Sequence, residues 1–154
     1  MPKCWCLTSV IDFFRKYGML PVLQNPLAFL ARALIALLFI PAGIAKIIGF
    51  MGTMGYIAAM GVPFPSVAAV IAIVVELGLG LLLLAGYQTR WSALALAVFT
   101  LVITLIFHPF WGIPAEMVMS QQQAFFKNIA IVGGLLCIAA FGAGAWSLDA
   151  KAGR

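Results

Sequence analysis

Charge is what this sequence has least of: 8% of its 154 residues are Asp, Glu, Lys or Arg, and four side chains are acidic. A soluble domain of this length needs a far more charged surface, so that class is excluded. Histidine occurs once and cysteine three times, as Cys4, Cys6 and Cys137. These three thiols make no redox or metal set: the first two form Cys-Trp-Cys, and the third lies in an apolar run. There is no Cys-x-x-Cys motif, haem-ligand pair, iron–sulfur cysteine set, or flavin or nicotinamide fingerprint. A chain without such carriers is expected to be an accessory subunit rather than a self-sufficient oxidoreductase, with no intrinsic cofactor and no metal. Its cations form no basic face, which excludes a nucleic-acid partner.

What fills the chain is hydrocarbon. Hydrophobic residues make up 65% of it, and the mean hydropathy is +1.16. Crossing a bilayer takes about 20 helical residues, and four stretches are long enough or nearly so: Leu27 to Ile48, Val67 to Gly86, Trp91 to Phe107 and Phe125 to Trp146. The third is short, but Trp91 and the run His108-Pro109-Phe110-Trp111 bracket it as interfacial aromatics do. The expected fold is an all-α membrane protein, a four-transmembrane-helix antiparallel bundle. It divides into residues 1–26, a cytoplasmic or interfacial segment; 27–148, the membrane domain; and 149–154, a short tail.

The first strongly apolar run begins only near Leu27 and lacks a small-residue cleavage pattern, so the N-terminus is expected to be retained. Between Leu7 and Leu20, residues Leu7, Val10, Ile11, Phe14 and Tyr17 share one helical face and Thr8, Asp12, Arg15 and Lys16 the other. That pattern predicts an N-terminal helix lying on the membrane surface. Lys3, Arg15, Lys16, Arg90, Lys151 and Arg154 sit in the two termini and the connection between the second and third spans. With four spans these segments share one side, and the positive-inside rule places both termini in the cytoplasm. The connections at 49–66 and 108–124 then face outward, the second being long and polar enough for a lid.

Candidate functional residues are the polar groups that the membrane should exclude. Glu76 stands in an otherwise uncharged run from Val67 to Gly86. A charge at the bilayer centre costs roughly 2.5–3.5 kcal/mol on insertion scales, so such a residue pairs or lines a cavity. Arg32, Phe39, Gly43 and Lys46 are spaced 7, 4 and 3 apart, which at about 100° per residue places all four on one helical face, directed into the bundle. Arg32 and Lys46 lie about 21 Å apart along the axis, too far for one carboxylate to serve both. Counting inward from the outer helix ends puts Glu76 nearer Arg32, and an Arg32–Glu76 buried charge network is the expected neutralisation. Such a pair could simply fix helix register, and either cation could snorkel to an interface. Lys46, His108, Trp111, Lys127 and Asn128 are expected to meet at the outward end. There they would make a ligand-binding set for an anionic or carbonyl-rich head group, with His108 able to carry a proton.

The ordered combination is itself recognisable. Arg32 and Leu38-Phe39-Ile40-Pro41-Ala42-Gly43-Ile44-Ala45-Lys46 are followed by Gly61-Val62-Pro63, Glu76 with Gly80, His108-Pro109-Phe110-Trp111, Phe126-Lys127-Asn128, Gly133-Gly134 and Ser147-Leu148-Asp149. From about Phe29 to Asp149 this resembles the DoxX family of bacterial inner-membrane proteins. The resemblance implies a four-span protein of the bacterial inner (plasma) membrane. It also implies an association with thiosulfate:quinone oxidoreductase and with membrane redox complexes that manage oxidative or thiol stress. The function expected on these grounds is a membrane subunit of a redox-associated system, surrounded by membrane lipid. It would bind a quinone or another small polar-headed lipophile, with catalysis left to a membrane redox partner. The alternatives are a small anion- or proton-coupled transporter, as a homo-oligomer, and a purely structural assembly subunit.

Overall fold

The computed structural model describes residues 19–153. The surface helix expected between Leu7 and Leu20, and with it Cys4 and Cys6, lies essentially outside the described residues. Seven α-helices and one π-helical turn follow in order: α1 (Met19–Ile48), α2 (Phe50–Ala59), α3 (Pro65–Val74), the π turn (Val75–Leu79), α4 (Gly80–Ala85), α5 (Thr89–Phe107), α6 (Ala115–Phe141) and α7 (Leu148–Lys151). Among the described residues there is no strand. Four helical segments are long and apolar enough to cross a membrane: Val22–Ile48, Pro65–Ala85, Thr89–Phe107 and Ala115–Phe141. The second is α3, the π turn and α4 run together.

The bundle is apolar on its outer surface and encloses several polar side chains within its core. Leu37, Ile48, Met51, Val74 and Phe141 are widely exposed, whereas Arg32, Glu76, Thr89, Thr100 and Thr104 are buried. Lipid solvates the former, while the latter find partners only inside protein. Thr100 donates its hydroxyl to the Leu96 carbonyl at 2.7 Å and Thr104 to that of Thr100 at 2.6 Å. These back-bonds let hydroxyls sit in an apolar core without another helix to receive them. That core gathers Phe39 of α1, Leu83 of α4, Ala93, Leu96 and Ala97 of α5, and Leu135 and Ile138 of α6.

Two boundaries differ from the sequence expectation, and both move functional residues. Gly49 leaves the helical conformation at φ −99 and ψ 37, but it donates to Ala45 and accepts from Thr53, so α2 follows α1 after a one-residue break. The first connection expected to face outward is therefore largely α2, and the chain turns only at residues 60–64. The fourth span starts at Ala115 rather than near Phe125 and ends at Phe141, where Gly142 takes φ +86. The second connection expected to face outward shrinks accordingly to residues 108–114.

One end of the bundle is tied together by polar contacts. The turn after α4 uses Gly86 at φ +70, and Asp149 accepts from the backbone N–H groups of Gln88 and Thr89, both at 2.8 Å. Asn25 of α1 accepts from Ala145 at 3.0 Å. Residues 145 and 149 are thus docked against the start of α1 and the α4–α5 turn.

Candidate functional site

Glu76 is carried by the π turn Val75–Leu79, where the second span widens locally. Such turns break the regular stacking of side chains and recur at functional sites. Across from it, Gly43 of α1 lies so close that an added Cβ would sit 2.6 Å from Leu77 Cγ. Gly80 likewise leaves room for Ile40, which a Cβ would approach to 3.2 Å. Small residues allow the two spans to meet backbone to side chain. Lys46, one turn beyond Gly43, is thereby brought within reach of Glu76.

Lys46 Nζ donates to Glu76 Oε2 at 2.8 Å, the side chains being 30% and 5% exposed. This corrects the expected Arg32–Glu76 pair. The close approach of Gly43 to Leu77 fixes the relative depth of the two spans, and it sets Lys46, one turn beyond Gly43, beside Glu76. Arg32 is buried elsewhere, at the tied end. Its Nη1 donates to the carbonyls of Leu83 at 3.2 Å and Leu84 at 3.1 Å, and Nη2 to that of Trp146 at 2.6 Å. The last carbonyls of a helix lack intrahelical partners, and a guanidinium fork can serve several at once. Arg32 is therefore a bundle latch, separate from the ion pair.

Beside the ion pair is a cavity of about 210 Å³, lined by Lys46, Thr53, Tyr56, Ile57, Ala72, Glu76, Phe99, Ile103, Phe107 and His108. Its wall is mostly apolar, with polar groups at few points, the usual make-up of a small-molecule site. Tyr56 stacks on Phe107 with ring centroids 5.5 Å apart, closing one side. His108 Nδ1 lies 2.9 Å from Gln121 Oε1. An amide oxygen only accepts, and in the tautomer that donates to it from Nδ1 the imidazole keeps Nε2 as an acceptor.

Of the five residues expected to converge, Lys46 and His108 do so, joined by Glu76, which was expected beside Arg32. Trp111, Lys127 and Asn128 do not line the cavity. Trp111 packs on Phe110 and Phe125 in an aromatic cluster, with centroids 5.3 Å and 6.1 Å away. Lys127 is displaced because α6 begins ten residues earlier than expected, and it projects from the exposed side of that helix. Thr53, Tyr56 and Phe99 went unremarked in the sequence. Thr53 and Ile57 could have been found by continuing the helical period of α1 past Gly49, since Lys46, Thr53 and Ile57 are spaced 7 and 4 apart. Among the described residues no cluster of His, Cys, Asp or Glu could hold a metal ion.

The DoxX family profile matches residues 27–109, which is more than half of the chain. Over 125 residues the chain is 38% identical to inner membrane protein YphA of Escherichia coli K12, covering 81% of this chain and 89% of that protein. Over 127 residues it is 42% identical to inner membrane protein YqjF of the same organism, covering 82% and 92%. A shorter match, 33% identical over 70 residues, spans 44% of this chain and 26% of the Surfeit locus protein 4 homolog of Drosophila melanogaster. No solved structure matches. On the profile match and the two nearly full-length relatives, the chain is a membrane protein belonging to the DoxX family.

Proposed function

We propose that this protein is an inner-membrane subunit of a redox-associated system and that it binds a quinone, or a lipophile with a similarly small polar head, in the cavity beside Lys46 and Glu76. The observation that carries the reading is the ion pair itself. Its ammonium is partly open to the cavity while its carboxylate is buried, amid apolar walls at membrane depth. Lys46 has N–H groups beyond the one given to Glu76, and these can donate to a ligand carbonyl. His108, with Nε2 available as an acceptor, can take or return a proton when the head group changes protonation state. The isoprenoid or acyl part of such a ligand would leave towards lipid. Electrons would come from and go to a partner protein, since this chain supplies no carrier motif of its own.

The orientation that fits the charge placement has the Arg90 and Lys151 end in the cytoplasm, which sets the cavity towards the outer leaflet. Titration of the purified full-length protein with a short-chain quinone tests the reading. Saturable binding weakened by loss of the Lys46 amine supports it, and absence of binding removes it.

A further inference from the structure

At the opposite end of the bundle from the ion pair, α5, the end of α6 and the C-terminal segment enclose an open cleft of about 490 Å³. Thr89, Arg90, Trp91, Phe141, Ser147 and Asp149 are among its walls. Arg90 makes no hydrogen bond or ion pair among the described residues. Its guanidinium lies across Gly142, where an added Cβ would stand 3.5 Å from Nε and 3.6 Å from Nη2. The cation thus lies against the end of α6, beside the cleft. Next to it, the Thr89 hydroxyl is buried without any partner, in a residue only 1% exposed. A buried hydroxyl left unpaired is costly, so an acceptor that reaches it would stabilise the site.

Asp149, the acidic group of the cleft, already accepts from the N–H groups of Gln88 and Thr89. Its charge is therefore held at the helix start, and the incoming group needs to satisfy Arg90 and the Thr89 hydroxyl. Trp91 and Phe141 are 71% and 84% exposed at the same rim. Aromatic rings at the end of a span mark head-group depth.

We propose that this cleft binds the phosphate group of an anionic phospholipid, Arg90 pairing with its oxygens and Thr89 donating its hydroxyl, with Trp91 and Phe141 against the glycerol and upper acyl region. Guanidinium–phosphate contacts are charge-assisted and geometrically specific. The site is independent of the proposed quinone cavity, and its test does not involve that cavity.

The test uses delipidated full-length protein in neutral detergent, followed by thermal unfolding and by native mass spectrometry. The additions are phosphatidylglycerol, phosphatidylcholine and inorganic phosphate. Thr89→Val keeps shape and loses no internal bond, so its unfolding midpoint without lipid should match that of the unmodified protein. Arg90→Gln alters an exposed side chain and should also fold. Phosphatidylglycerol is expected to raise the midpoint of the unmodified protein more than phosphatidylcholine does. Its affinity should fall about tenfold in each variant, as expected for loss of one charge-assisted contact. Stabilisation by inorganic phosphate with the same variant dependence would show a site for soluble phosphate esters and overturn the lipid assignment. Equal phosphatidylglycerol binding by the unmodified protein and both variants would overturn the site altogether.

Discussion

Lys46 and Glu76, thirty residues apart in the chain, form a 2.8 Å ion pair one helical turn from the Gly43–Leu77 approach of the first two spans. The pair is unequal, since the lysine is 30% exposed and the carboxylate 5%. Removing either partner should therefore not cost the same. Lys46→Met strands a buried carboxylate and should destabilise by about 3 kcal/mol, the lower end for a broken buried pair. Glu76→Gln leaves an ammonium that water in the cavity can reach, and should cost about 1 kcal/mol. The double variant Lys46→Met, Glu76→Leu should regain part of the larger loss. Unfolding in detergent measures all three, and a larger cost for Glu76→Gln would contradict this arrangement.

Arg32 makes a different kind of demand. Its fork serves the carbonyls of Leu83, Leu84 and Trp146 from a fully buried position. Lysine keeps the charge but lacks the planar fork. Arg32→Lys should therefore cost about 2 kcal/mol or more, since hydrogen bonds to charged groups contribute roughly 1.5–3 kcal/mol each. A lysine variant as stable as the parent would show that charge alone is required there.

Two turns, one beside Arg32 and one between α2 and α3, give a controlled pair of glycines. Gly86 and Gly61 have φ of +70 and +74. A Cβ at Gly86 would collide with Arg32 Nη1 and Ser147 Cβ, whereas nothing lies within 4 Å of one at Gly61. Gly61→Ala should cost the left-handed backbone penalty alone, about 1–2 kcal/mol. Gly86→Ala should cost clearly more, and thermal unfolding of the two side by side reads the difference.

Four spans, the aromatic brackets and the inward face of α1 were legible because each rests on period or composition. Arg32, Phe39 and Gly43 recur at helical spacing, and all three are buried. The pairing of Glu76 was not legible, because the relative depth of the two spans is set by the Gly43–Leu77 approach, a tertiary contact that no local pattern marks. Lys127 was misplaced because the polar stretch Ala115 to Gln123 resembles a loop but is helix, supported by the His108–Gln121 contact. The role of Asp149 depends on a contact with residues 60 and 61 positions away, which no local pattern reveals.

Membrane orientation is open to direct measurement. In a cysteine-free background, single cysteines placed near Trp111 and Val62 should react with an impermeant maleimide added to intact cells. Cysteines near Arg90 and Lys151 should react only after permeabilisation, as the charge asymmetry requires. The opposite pattern would turn the ion-pair cavity towards the cytoplasm.

Ligand binding by full-length protein in lipid nanodiscs is the most direct measurement. Titration with a short-chain quinone would compare the unmodified protein, Lys127→Met, and the double variant Lys46→Met, Glu76→Leu, whose folding is checked by its unfolding midpoint. Saturable binding is expected in the first two, unchanged by the loss of Lys127, which lies outside the cavity. In the folded double variant it should weaken about tenfold or more, as for loss of a charged hydrogen-bond donor. Non-saturable partitioning, or equal affinity in all three proteins, would contradict a quinone-binding role for the Lys46–Glu76 cavity.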